Sequence, residues 1–265
     1  MNKYKQIEDE LNKEAIRILV YIREDYFNYM SSKNKAKINK LISDRRIVSV
    51  DEGTCILGEN TLAHGGRTLK DGKIHFYPEA SKADTYEGII IQCKKLLPHE
   101  CFHYFIQPDN IKFNSDKEER MAEFYTEGLV EKEARKFVQR HSMVKQVPFE
   151  KANYGFNIAF VNKIQGDLNA LDYEIIFSES DYLKDIGKYE KEYKDVLKKK
   201  HDLFDALKEL LECFPEDIRE KVERRMKTSI LQDGNAHGLR KSLSAFANIK
   251  PQHRKRLDEC DEKEI

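Results

Sequence analysis

The sequence predicts an α+β protein that is mostly helical, with a small twisted β-sheet set before the helix that carries its candidate active-site residues. Three observations predict it. Apolar residues recur at three- and four-residue steps over long stretches at both ends of the 265-residue chain. Only residues 46–77 break into short β-prone runs divided by turn signals. Charge is abundant but balanced, with 47 Lys and Arg against 47 Asp and Glu, 35% of residues charged and 40% hydrophobic. Burial must therefore be concentrated in a few segments.

The same balance excludes function classes. A net charge of zero sets up no long-range field of one sign, which argues against a non-specific nucleic-acid binder or a protein held on an anionic membrane. No run of about 18 apolar residues occurs, so no membrane-spanning helix is expected. The N-terminal MNKYKQIEDE is charged from its third residue and has no apolar signal region. Cys55, Cys93, Cys101, Cys213 and Cys260 form an odd, scattered set without CxxC spacing, as reduced thiols do. A cytoplasmic protein is the expectation, with secretion left open if a signal segment has been removed.

In chain order, Ile7, Leu11, Ile18, Leu19, Ile22, Tyr26 and Met30 predict an amphipathic helix over about residues 4–30. The polar SSKNKAKINK that follows reads as a connection or a short solvated helix. Ile47, Val48 and Val50, then 55–57, then 73–77 are β-prone, and Asp71-Gly72 ahead of Lys73 to Tyr77 predicts a hairpin closed by Pro78. Helix returns from Tyr86 through Ile89, Ile90, Ile91, Leu96, Leu97, Phe102, Phe105 and Ile106, and ends at Pro108. Another runs over about 116–138, with Met121, Phe124, Tyr125, Leu129, Ala134, Phe137 and Val138 near one face. Residues 154–177 supply the last dense apolar material. Beyond Ser178, lysine- and glutamate-rich helices carry only thin apolar stripes. This divides the chain into an N-terminal helix and connection (1–40), a central domain (41–180) and a charged helical extension (181–265).

The chemistry lies in His99-Glu100-Cys101-Phe102-His103, an HExxH sequence inside the helix that starts near Ile89. Histidines at i and i+4 project from one helical face, so both imidazoles can reach one ion, while Glu100 stands beside any water on that ion. By composition, a chance HExxH in such a chain is on the order of a few per cent. A catalytic zinc with two His ligands needs a third protein ligand and an open position. Glu123, Glu127 and Glu131 on the next predicted helix are the candidates, and distance along the chain does not choose among them. Like charges at i,i+4 repel by about 0.2–0.5 kcal/mol per pair, a cost that a cation relieves. Cys101 faces away from the His pair and reads as a small buried residue.

HECFH together with YTEGLVE resembles the zincin metallopeptidases of the gluzincin type, in which HExxH is followed by a helix reading roughly NEGxxE. The segment Tyr154-Gly155-Phe156-Asn157 is loosely similar to uncharacterised bacterial members of that group. The resemblance covers about residues 48–177. It implies a zincin-like catalytic domain over 41–180, one Zn²⁺ held by His99, His103 and Glu127, and Glu100 as the general base. A toxin-type gluzincin pattern, ExxxE, would instead make Glu123 the ligand and put Glu127 behind it; Glu127 matches at more positions. The resemblance further implies a strand edge that binds extended substrate, for which Ile74 and Phe76 are the candidates. His141, Tyr154 and His237, with Tyr125, are candidates to stabilise the oxyanion or donate a proton.

The function that follows is hydrolysis of a peptide bond in a peptide or protein substrate by a Glu-activated, metal-bound water. Two other readings stand beside it. One is a metal-binding regulatory or toxin-associated module without peptidase activity, and the other a helical interaction protein with a chance HExxH. His64 in HGGR and His237 in DGNAHG read as turn residues. The basic 253–256 run is cancelled by neighbouring acids, as in a solvated terminus.

Overall fold

The structure is a computed structural model that describes residues 4–50, 56–57, 61–62, 66–68, 72–76, 85–106, 112–141, 154–178, 183–212, 214 and 216–234. It is mostly helical, with a small sheet, and so is α+β. Among the described residues no helix is long and apolar enough to cross a membrane. The chain forms two compact units that interleave along the sequence. One comprises Met1–Ile111, Glu133–Phe149 and Leu168–Tyr182; the other comprises Lys112–Lys132, Glu150–Asp167 and Leu183–Ile265.

The first unit is built on α1 (Lys5–Tyr26), whose three- and four-residue spacing buries Ile7, Leu11, Ala15, Ile18, Leu19, Ile22 and Tyr26 along one stripe. The polar segment after it is a full helix, α2 (Ser32–Asp44), rather than a connection. Ser31 caps it by accepting from the Asn34 amide at 3.1 Å, and Ile38 and Leu41 are buried. The strands are β1 (Val48–Val50), β2 (Ile56–Leu57), β3 (Thr61–Leu62), β4 (Gly66–Thr68) and β5 (Ile74–Phe76). The β2 and β3 strands pair antiparallel, while the larger sheet runs β1-β5-β4. The hairpin around Asp71-Gly72 is present as the antiparallel β4-β5 pair, with Gly72 at φ +79°, a conformation that favours glycine.

One expectation is overturned by this sheet. Ile74 and Phe76 do not form an edge, because β5 lies in the middle, parallel to β1 (Val48 opposite Ile74) and antiparallel to β4 (Thr68 opposite Ile74). Both side chains are fully buried. The physical reason is a long-range pairing: Val48 to Val50 returns alongside β5, and nothing local to residues 73–77 announces it. The far side of β1 is occupied too. Asn12 of α1 accepts from the Ile47 and Val48 amides at 2.7 and 2.9 Å and donates to the Val48 carbonyl at 3.0 Å, and the Glu8 carboxylate accepts from the Val50 amide at 3.2 Å. The remaining outer strand is β4. Since the Ile74 amide donates to the Ile47 carbonyl of β1 at 2.8 Å, alternation turns His75 toward β4, and hence the Gly66 and Thr68 backbone groups outward.

Helix α3 (Tyr86–His103) packs along α1 and beneath β4 and β5. Its interior holds Pro98, which lacks a backbone donor and in a free helix costs about 3 kcal/mol. Burial of Leu97, Cys101 and Phe102 against the rest of the unit offsets that cost. Helix α4 (Asp116–Arg140) is one continuous helix whose last two turns belong to this unit. There Phe137 meets Phe102 edge to face at 5.6 Å, and the buried Glu133 carboxylate accepts from the Tyr26 and Tyr173 hydroxyls at 3.2 and 3.0 Å. Burial, reinforced by Glu133, pushes both phenols well above their ordinary value, so they stay protonated donors. Tyr173 lies on α6 (Ala170–Phe177), which starts with an Asn169–Asp172 capping box.

The second unit contains the first part of α4, then α5 (Gly155–Gln165), α7 (Glu190–Leu211) and α8 (Glu216–Asp233). Ser115 opens α4 by accepting from the Glu118 amide at 3.2 Å, and Asp116, Glu118 and Glu119 sit in its first turn, where acids favour the helix dipole. The thin stripe of α7 is buried at Val196, Leu203, Leu207 and Leu210. Phe124, Phe160 and Tyr193 form a ring cluster with centroids 5.4–5.9 Å apart. The charged helix α7 thus shares one core with α4 and α5.

Candidate metal centre

His99 and His103 lie in the last turn of α3, where the i,i+4 spacing brings their Nε2 atoms to 3.0 Å and their rings to 4.8 Å. His99 is buried and His103 half-buried. Two ligand nitrogens about 2.0–2.1 Å from a tetrahedral ion stand about 3.3 Å apart, so this spacing fits shared coordination. It fits a single hydrogen bond between a protonated and an unprotonated ring equally well. The end of α3 is tied down just beyond the pair. The Tyr104 hydroxyl donates to the Gly72 carbonyl at 2.8 Å, and the Lys37 ammonium donates to the Tyr104 carbonyl at 2.6 Å. The hairpin turn and α2 therefore hold the helix end that carries the histidines.

The third donor comes from α4. Ligand atoms of His99, His103 and Glu127 all lie within 4.8 Å of one another, and this is the one such group of three or more His, Cys, Asp or Glu among the described residues. Two imidazoles and one carboxylate are the donor set that zinc takes when one position is left open. Glu123, one turn earlier, is exposed and outside the group. Glu100 is 7% exposed and follows His99 directly, and Glu131, one turn after Glu127, is buried. No family model matches the chain, and neither a curated protein nor a solved structure is similar to it. The reading of this group therefore rests on its own chemistry.

The remaining site candidates separate. His141 continues α4 fourteen residues past Glu127, which at 1.5 Å per residue puts it about 21 Å along the axis. It is engaged there by the Asp25 carboxylate at 2.8 Å and stacked on Tyr21 at 4.5 Å. The Tyr125 hydroxyl donates to Gln165 Oε1. Tyr154 is half-buried at the start of α5. His237 lies outside the described residues. Cys101 is fully buried, and burial, followed by Glu100 and Glu14, holds its thiol well above the ordinary range, so it is a protonated core residue and not a ligand.

Two positions that shape the fold escape motif reading. Gly128 follows Glu127, and a Cβ there would lie 2.4 Å from the Asn157 carbonyl oxygen and 2.5 Å from its carbon. The glycine of EGLVE is thus the place where α4 and α5 touch backbone to backbone. Asn12 is the second, a lone asparagine inside an apolar stripe, which is the one sequence signal that could have marked it.

Proposed function

We propose that this protein is a zinc metallopeptidase of zincin-like architecture. The observation that carries the reading is the convergence of His99, His103 and Glu127 within 4.8 Å, with Glu100 next in sequence to the first ligand. His99, His103 and Glu127 would hold the zinc ion, which when bound would acidify a water toward a pKa of about 7 and polarise a scissile carbonyl. Glu100 takes the proton from the attacking water and delivers it to the leaving amine, the work of a carboxylate held within hydrogen-bond reach of both. The Tyr104–Gly72 bond couples the hairpin to the end of α3, so substrate laid along the outward Gly66 and Thr68 groups of β4 would be held in register with the histidines. This replaces Ile74 and Phe76 as the strand-addition surface. A peptide or protein substrate and a single zinc ion are the partners this reading requires.

The test has two steps. Metal content of the purified protein should be one zinc per chain, lost in His99→Ala and Glu127→Ala and retained in Glu123→Ala; a wild type that takes up no zinc refutes the proposal. A peptide library should then be cleaved by the wild type and not by Glu100→Gln, which keeps the metal ligands. A zinc-loaded wild type that cleaves nothing would favour the regulatory metal-binding reading.

A further inference from the structure

We propose that Tyr154 to Asn157 form a wedge that sets the position of Glu127 on α4, and that the C-terminal helices act on the metal site through it; this rests on the metallopeptidase reading above. The wedge grips one turn of α4 twice. At Gly128 the backbones of α4 and α5 are in direct contact, with room for no side chain. One turn earlier the Asn157 Nδ2 donates to the Phe124 carbonyl at 2.9 Å, the same carbonyl that the helical ladder pairs with the Gly128 amide. Glu127 lies between these two anchors.

The other side of the wedge is closed by α8. Gly234 ends that helix at φ +64°, its amide donating to the Ile230 carbonyl at 2.8 Å, and a Cβ on it would lie 2.5 Å from the carbonyl carbon and oxygen of Gly155. Three backbone segments therefore stack in order: the end of α8, the first turn of α5, and α4 beside Glu127. The far end of α5 is tied back to α4 as well, because the Lys132 ammonium donates to Asn162 Oδ1 at 2.7 Å and to the Gly166 carbonyl. Fixed at both ends, α5 has no free pivot. Backbone contacts have no rotamers with which to absorb a displacement, so a shift at Gly155 is passed on to Glu127. Metal sites tolerate only about 0.2 Å of error in a ligand distance. A movement of a few tenths of an ångström is enough to weaken the carboxylate as a ligand.

Zinc affinity, measured by competition with a chromophoric chelator, and the visible spectrum of the Co²⁺-substituted full chain test this. The variants are Asn157→Ala, which removes one amide and introduces no clash, and Gly234→Ala. Leu203→Val serves as the control, since it loosens the α7 core of the same unit at a residue outside the 154–157 wedge. Asn157→Ala and Gly234→Ala should each weaken zinc at least tenfold and alter the Co²⁺ bands, while Leu203→Val, although less stable, binds zinc within twofold of the wild type. Unchanged affinity in Asn157→Ala, or an equal loss in Leu203→Val, overturns the wedge and leaves the metallopeptidase reading standing. A wild type that binds no zinc overturns both.

Discussion

Replacing Gly128 by alanine puts a methyl group where the structure has the main chain of α5. The new Cβ would lie 2.4 Å from the Asn157 oxygen, 2.5 Å from its carbon and 3.0 Å from its own Cβ. A carbon and a carbonyl oxygen rest at about 3.4 Å, so the helices must part by roughly 1 Å. Overpacking of this kind costs about 1–3 kcal/mol, and the strained Asn157–Phe124 bond adds about 1 kcal/mol. Against this, alanine is favoured over glycine inside a helix by about 1 kcal/mol. The steric term wins because its neighbour is backbone and cannot rotate away. The net effect is about 2 kcal/mol of lost stability, or roughly 4–8 °C in Tm for a chain of this size. Thermal unfolding followed by circular dichroism, with urea unfolding alongside, reads it directly. An alanine variant as stable as the wild type, or more so, would show that propensity outweighs contact and that α4 and α5 do not cross in backbone contact at this residue.

Three further outcomes are expected. Asn12→Leu keeps the side-chain volume but strands the buried Ile47 and Val48 amides, so urea unfolding should show a loss of about 2–4 kcal/mol; an effect below about 0.5 kcal/mol would mean that β1 is not pinned by α1. Glu190, paired with Lys117 and Lys194, is lowered from 4.5 to about 2 chiefly by its hydrogen bonds to those lysines. Because the folded value is the depressed one, its contribution is full above about pH 5 and fades as the pH falls toward 2. The small Tm gap between wild type and Glu190→Gln should close over that interval, and a gap that widens on acidification would contradict it. Burial pushes the Cys93 thiol from 9.0 up to about 12, so mass-spectrometric mapping after treatment with a thiol reagent at pH 8 should find Cys93 modified only when the chain unfolds; labelling in native buffer within the mixing time would refute this.

Much of the local structure was legible in the residues themselves. The stripe Ile7, Leu11, Ile18, Leu19, Ile22 became the buried face of α1, and Asp71-Gly72 did introduce a hairpin, because both depend on neighbours a few positions away. The i,i+4 pair His99 and His103 was legible for the same reason. Pairings of long range were not. The parallel partnership of β1 with β5 made the presumed edge strand a central one, and of the two readings of SSKNKAKINK, connection or short helix, the helix holds, with Asn34 and Ile38 of it buried by tertiary packing. Pro98 by itself would end a helix, yet α3 runs through it, as the apolar spacing from Ile89 to Phe102 predicts.

Sequence alone determined which atoms could bind a metal: two imidazoles on one helical face, a carboxylate beside the first, and three glutamates at four-residue intervals on a later helix. Those spacings are intrinsic to the 3.6-residue turn. Only the tertiary structure groups Glu127, and neither Glu123 nor Glu131, with the two histidines, and the contacts that hold α4, at Gly128, Asn157, Phe137 and Glu133, lie tens of residues from their partners. It also decided that the charged C-terminal helices belong to the core holding Glu127. Periodicity records which face of a helix is apolar; only packing says what that face is buried against.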